Sequence, residues 1–337
     1  MTPYPSSPAA RDRFVLDRRP PRQPHDPWRA HGVLVEDEPA AGGTIARVAT
    51  VFLTGRECPW RCVMCDLWQH TTETDTPPGA IAAQVAAARR TLDGSGEPVT
   101  QIKLYNAGSF FDPRAVPEDD YDPVAADLAG LSRVIVESHP ALVGARTSRF
   151  LDALGRHRAA PALEVAMGLE TAHPDALERL HKRMTVEGFL LAADRLESLG
   201  VALRVFVLVS PPFVPAAEQD EWLLRSIDVA LAAGASVVSL IPTRTGNGAL
   251  EALAEDGSFR SPRLDDLERS LALAREHVPD RGTRVFADLW DLERFADCPQ
   301  CLDARRARLR AMNVEQRHQP QVRCPRCIGS PAPAPVS

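Results

Sequence analysis

Six short apolar runs constrain this chain more than any other feature. They span residues 46–53, 101–105, 133–136, 163–167, 202–209 and 236–241. Amphipathic stretches lie between and after them, at 81–92, 174–180, 187–199, 218–233 and 264–277. In the stretch 187–199, Phe189, Leu190, Ala193, Leu196 and Leu199 recur near helical spacing, and Gly200 stands where a helix ends. Strands alternating with helices argue for a parallel sheet covered by helices. Each run ends in polar, Gly or Pro chemistry: Thr54-Gly55-Arg56-Glu57, Asn106-Ala107-Gly108-Ser109, Glu137-Ser138-His139-Pro140, Gly168-Leu169-Glu170-Thr171, Ser210-Pro211-Pro212 and Pro242-Thr243-Arg244. In a barrel those ends converge on one mouth, where active sites are built, whereas an open sheet concentrates its chemistry near one switch point. Polar chemistry after every run favours an α/β fold of the six-stranded partial-barrel kind.

The cysteines come next, because nothing in the chain suggests an oxidising compartment. No apolar run is long enough to span a bilayer, and the N-terminus lacks the apolar stretch of a signal peptide. A cytoplasmic setting is expected, where cysteines act as ligands or catalysts rather than disulfides. The seven fall into two groups. Cys58, Cys62 and Cys65 form a CxxxCxxC run on the loop after the first strand. Thiolates are the usual ligands of iron–sulfur clusters, and three of them leave one iron open. A zinc ion there would need a fourth ligand, for which His70 is the nearest candidate.

The CxxxCxxC run resembles the hallmark of the radical S-adenosylmethionine (SAM) superfamily. The likeness extends over residues 45–290. Asn106-Ala107-Gly108-Ser109 looks like the Gly-rich segment that receives the SAM amino group. Glu170 in its GLET context and Ser210-Pro211-Pro212 look like the elongator and methylthiotransferase branch. Glu137-Ser138-His139-Pro140 and the run from Leu180 to Thr185 point the same way. Gly108–Asp112 and the third-strand tail also resemble the radical SAM subunits of archaeosine synthase and their bacterial relatives. The resemblance implies a partial (β/α)6 barrel, a 4Fe–4S cluster on Cys58, Cys62 and Cys65, and reductive cleavage of SAM to a 5′-deoxyadenosyl radical. It implies an external one-electron donor such as flavodoxin or ferredoxin. Modification of a tRNA nucleoside is the leading expectation for the reaction. Asn106, Gly108, Ser109, Glu137, Glu170, Arg204 and Ser210 are the expected cofactor-binding residues.

Plainer roles compete for several of these. Gly108 could be a turn residue with positive φ. Glu137 and Glu170 could be partners for Arg146 or Arg204, and Arg204 could be an internal salt-bridge residue. Arg244, in the Gly-rich stretch 242–248, is a candidate for an anionic group.

Cys298, Cys301, Cys324 and Cys327 form two CPxC knuckles separated by 22 residues. Four thiolates make a closed tetrahedral site of structural type, so zinc is expected, with a second iron–sulfur cluster as the rival. Seven arginines against Asp303 and Glu315 make the module basic in a chain whose net charge is -6. Such asymmetry suits RNA contact, although Arg305, Arg306 and Arg308 cannot share one narrow helix face.

The expected organisation is a disordered or surface-wrapped segment 1–30, a barrel 31–290, a metal-binding module 291–329 and a disordered tail 330–337. Two other functions stay open: a radical SAM enzyme of specialised small-molecule metabolism, and a non-redox zinc protein that binds RNA.

Overall fold

Strand periodicity gives one sheet two different faces. In β5 (Ala162–Glu170), Leu163, Val165, Met167 and Leu169 enter the main hydrophobic core, while Ala166, Gly168 and Glu170 line an internal cavity. In β6 (Ala202–Val209), Leu203, Val205, Val207 and Val209 face that core, and Arg204 and Phe206 face the cavity. A sheet apolar outside and polar inside must curl around its polar face and take helices on the other. A computed structural model describes residues 4–96, 98–106, 108–278 and 282–327 and has this form.

Eight strands follow in spatial order. They are β1 (Gly32–Pro39), β2 (Ile45–Leu53), β3 (Gln101–Asn106), β4 (Arg133–Glu137), β5, β6, β7 (Val237–Pro242) and β8 (Arg284–Ala287). β1 runs antiparallel to β2, and every later pair is parallel. The six expected strands are β2 to β7. β1 and β8 extend the sheet at either end into a nearly closed barrel.

The helices are α1 (Pro8–Leu16), α2 (Ala80–Gly94), α3 (Tyr121–Leu128), α4 (Ala145–Gly155), α5 (Pro174–Arg179), α6 (Val186–Ser198), α7 (Gln219–Ala232), α8 (Ala249–Glu255), α9 (Leu264–His277) and α10 (Pro299–Glu315). None is long and apolar enough to cross a membrane among the described residues.

The described residues of the N-terminal segment, from 4 to 30, lie against the barrel and include α1. Phe14 and Val15 of α1 are buried in a second apolar cluster with Val63, Leu180, Leu250 and Phe259. Arg11 is buried and donates to the Glu178 carboxylate at 2.5 Å. The segment lacks a long apolar stripe, but two well-placed apolar side chains and several ion pairs, made by Arg11, Asp12, Arg19 and Arg22, anchor it. The tail 330–337 lies outside the described residues.

Inside the lumen, the polar side chains near the strand starts pair with one another. Arg204 donates to Glu164 at 2.8 Å and to Glu38 at 3.1 Å, and Lys103 also pairs with Glu38. These two cations hold the Glu38 carboxyl down at about 2, against the opposing effect of burial. Buried charges need such partners.

Candidate active site at the barrel mouth

The loop after β2 is fixed from several sides. Val63 N donates to Leu180 O at 3.0 Å. Asn247, fully buried, donates from Nδ2 to Val63 O at 2.5 Å and to Cys65 O at 3.3 Å. Its Oδ1 accepts from the N–H groups of Ala249 and Leu250, so the same side chain starts α8. Glu57, beside Cys58, is held by Arg19 at 2.8 Å and Arg22 at 2.5 Å. Trp60 stacks on His139 with centroids 3.6 Å apart.

Held this way, Cys58, Cys62 and Cys65 line one cavity of about 840 Å³. Its wall includes Asn106, Gly108, Glu137, His139, Glu170 and Lys182. Burial raises all three thiols, Cys65 to about 12, and neighbouring thiols add to it at Cys62 and Cys65. Thiols in such surroundings become thiolates only when a cation arrives to stabilise them.

The expected cofactor residues divide on the structure. Asn106, Gly108, Glu137, Glu170 and Arg204 line the cavity, whereas Ser109 and Ser210 do not. Asn106 is buried, and neither its Oδ1 nor its Nδ2 has a hydrogen-bond partner among the described residues. Buried amides left in this state are costly, so the site suits a ligand that satisfies them. Gly108 lacks the positive φ of the turn reading. A Cβ there would stand 2.9 Å from Arg56 O, so the glycine lets the β3 tail press against the cysteine loop. Ser109 stands behind the wall, with its Oγ 3.1 Å from Ser138 Oγ and accepting from His139 N at 3.2 Å. Ser210 ends β6 with φ 55°.

The carboxylates have partners other than those expected. Glu170 pairs with Lys182, which also donates to Gly168 O at 2.6 Å. A side chain at Gly168 would collide with both members of that pair. Arg146 pairs instead with Glu118 at 2.9 Å. Glu137 has no cationic partner in a salt bridge, and burial pushes its carboxyl up to about 8. His139 is driven down to about 3, chiefly by burial, and stays neutral. Its Nδ1 accepts from Ala141 N at 3.1 Å, which leaves the proton on Nε2, 2.9 Å from Lys182 O. Arg244 donates to Asp288 at 2.5 Å and to Trp290 O at 2.9 Å. His70 stacks on His31, centroids 3.9 Å apart.

Lys182 and Asn247 are the functional side chains that sequence reasoning missed. Lys182 stands between His181 at φ 59° and Arg183 at φ 57°, two left-handed residues that a sequence does not announce. Asn247 lies in the Gly-rich stretch 242–248, where nothing in the sequence marks it as a clamp on the cysteine loop.

At the other end of the chain, Cys298 Sγ lies 3.9 Å from Cys324 Sγ, and Cys301 Sγ lies 3.8 Å from Cys327 Sγ. All four sulfurs fall within 4.8 Å of one another, a group that can hold a metal ion. The module's arginines are largely engaged. Arg305 pairs with Asp265 and Glu268, Arg306 with Glu293 and Asp303, and Arg308 with Glu268. Arg323 and Arg326 are exposed.

No protein-family profile matches the chain. The chain is 25% identical to archaeosine synthase subunit beta of Methanosarcina acetivorans over 281 residues, 80% of this chain and 77% of that protein. It is 20% identical to an uncharacterised protein of Methanocaldococcus jannaschii over 263 residues, 72% and 68% of the two lengths. The fold is that of an N-terminally truncated archaeal Elp3 from Methanocaldococcus infernus, with a TM-score of 0.54 at 13% identity. That match covers 80% of this chain but 63% of the Elp3 chain, less than two thirds of it. A barrel of this fold, a CxxxCxxC loop at its mouth and similarity over most of both chains to an archaeosine synthase subunit agree with the resemblance to radical SAM enzymes carried by the sequence.

Proposed function

We propose that Cys58, Cys62 and Cys65 hold a 4Fe–4S cluster with one open iron that takes SAM, and that the chain modifies a nucleoside of tRNA. One observation carries the cofactor reading. Three loop thiols share a cavity with a buried Asn106 whose amide has no partner among the described residues. A volume of about 840 Å³ lies within the ordinary range for a small-molecule site. The loop thiols are not among the groups drawn within 4.8 Å of one another, as ligands of a single ion are. A wider tripod suits a polynuclear cluster.

Bound there, the cluster and SAM supply one-electron cleavage of the sulfonium. The remaining tasks fall to the chain. Asn106 and the Gly108 backbone receive the polar end of SAM, with Glu137 and Glu170 at the ends of the next two strands along the same wall. Ser109 acts through Ser138 and His139, holding that wall in place. Glu137 keeps its proton at neutral pH and can donate a hydrogen bond. Arg204 maintains the lumen charge rather than reaching the thiols. Ser210 shapes the turn after β6 without touching the cavity. The nearly closed barrel excludes water from the reacting centre.

The tRNA reading rests on similarity to archaeosine synthase subunit beta over most of both chains. It takes an external electron donor of flavodoxin or ferredoxin type and a reducing, cytoplasmic compartment. For the four-thiol site we propose zinc. A tetrahedral ion with Zn–S near 2.3 Å spaces its sulfurs about 3.8 Å apart, and the paired sulfurs stand at 3.9 and 3.8 Å.

Anaerobic reconstitution with iron and sulfide, followed by reduction with SAM present, tests the reading. Release of 5′-deoxyadenosine, with unfractionated tRNA binding the same protein, is the expected result. A colourless protein that binds RNA without cleaving SAM would replace it with the non-redox alternative. Cleavage without tRNA binding would favour a small-molecule substrate.

A further inference from the structure

Asn313 and Gln316 of the α10 region do for β8 what another strand would do. Val285 N donates to Gln316 Oε1 at 2.9 Å, and Gln316 Nε2 donates back to Val285 O at 2.9 Å. Ala287 N donates to Asn313 Oδ1 at 2.8 Å, and Asn313 Nδ2 donates back to Ala287 O at 2.8 Å. The outward edge of β8 is thereby satisfied by two side-chain amides.

α10 also touches the other lip of the barrel. β1 and β8 are the two ends of the sheet and do not pair with each other. Arg310 faces Asp37 of β1 at 4.0 Å, and Arg284 of β8 reaches across to Pro39 O at 2.9 Å. Leu309 and Met312 are fully buried in the main core. Arg306, Arg310, Asn313 and Val314 recur at helical spacing and line the cavity. The helix therefore fills the open seam of the barrel.

Its seating is weakly determined by its own sequence. The 17-residue helix has Leu309 and Met312 as its apolar anchors, and the thiol group ties its N-terminal end to the chain that returns after its C-terminus. Cys298 and Cys301 begin it. The chain leaving its C-terminus brings Cys324 and Cys327 back beside them. An isolated helix of this length is marginal in water.

We propose that the metal held by Cys298, Cys301, Cys324 and Cys327 keeps α10 seated between β1 and β8. The module is then a wall of the reaction chamber, with Asn313 and Gln316 as its positioning residues. This rests on the proposed function in naming the cavity a reaction chamber and in placing zinc on the four thiols. The seating does not depend on SAM chemistry.

The test is hydrogen exchange on full-length protein, stripped of metal by a chelator and titrated with zinc. Protection of the β8 peptide containing Val285 and Ala287 should rise roughly tenfold or more in step with zinc bound, while β5 stays unchanged. Gln316→Ala should keep its zinc yet lose protection at Val285, and Gln316→Glu, which retains the acceptor for Val285 N, should recover part of it. A Cys327→His variant, which preserves a four-ligand zinc set, should keep β8 protected. Protection of β8 that is independent of zinc, or unchanged in Gln316→Ala, overturns the proposal. Because the readout needs neither iron nor SAM, its failure is distinguishable from failure of the cofactor reading.

Discussion

Cys58, Cys62 and Cys65 share a cavity wall, while Cys298, Cys301, Cys324 and Cys327 share chiefly one another. The first set lies under buried, mutually destabilising thiols, with an orphaned amide nearby. The second gathers four sulfurs at single-ion spacing, with Cys327 exposed. A site that leaves a coordination position and a cavity beside it is built to react. A site that closes on itself is built to hold chain segments together.

The sharpest way to break that comparison is metal content. Replacing Cys58, Cys62 or Cys65 by Ala should remove essentially all the iron, about four ions for a cubane cluster, and leave the zinc in place. Iron near twice that number with no zinc would make both sites clusters.

A somewhat smaller effect is expected from Cys324→Ser combined with Cys327→Ser. Zinc should vanish and the iron remain. Limited proteolysis should cut within 298–327, because metal binding there is folding energy. Resistance equal to wild type would show that the segment folds without its metal.

Lys182→Met sharpens the contrast from within the reactive site. It leaves the Glu170 carboxylate buried beside Gly168 without its cation. Removal of one partner from such a pair costs about 3 kcal/mol, measurable by denaturant unfolding of the iron-free protein. A change below about 1 kcal/mol would mean that solvent already screens the pair.

The smallest effect per step of the titration is a pH slope of at most about 1.4 kcal/mol per pH unit. Glu137 binds its proton in the folded chain up to about pH 8, against an ordinary value of 4.5. The folded state therefore holds more protons than the unfolded state between those values. Stability should fall as pH rises through that window, then level off above it. Glu137→Gln should flatten the slope, and parallel stability curves for the two proteins would contradict it.

Sequence pattern revealed much of this architecture, for identifiable reasons. β2 to β7 carry apolar residues on their outer face and were visible as runs. β1, Gly32–Pro39, was not, because its inward positions are Glu36 and Glu38 and its outward ones are partly exposed. β8 is four residues long and has no period to read. Both cysteine sets were legible because thiols at fixed spacing have few other uses in a reducing compartment. Lys182 and Asn247 were not, since each acts across well over a hundred residues or through a strained turn. A Cβ at Gly108 would stand 2.9 Å from the Arg56 carbonyl, a close approach that no sequence pattern displays. The charge asymmetry of the basic module suits RNA contact, and its arginines spread round the helix as their spacing requires: Arg305 and Arg308 pair with Glu268 of α9.

One comparison bears most directly on the central claim: reductive SAM cleavage by wild-type protein and by Cys62→Ala, each reconstituted anaerobically and assayed for 5′-deoxyadenosine. Wild type should release it, and Cys62→Ala should release none above a protein-free control while its C-terminal zinc stays bound. Release by Cys62→Ala at the wild-type rate would contradict the assignment of the loop as the SAM-cleaving centre.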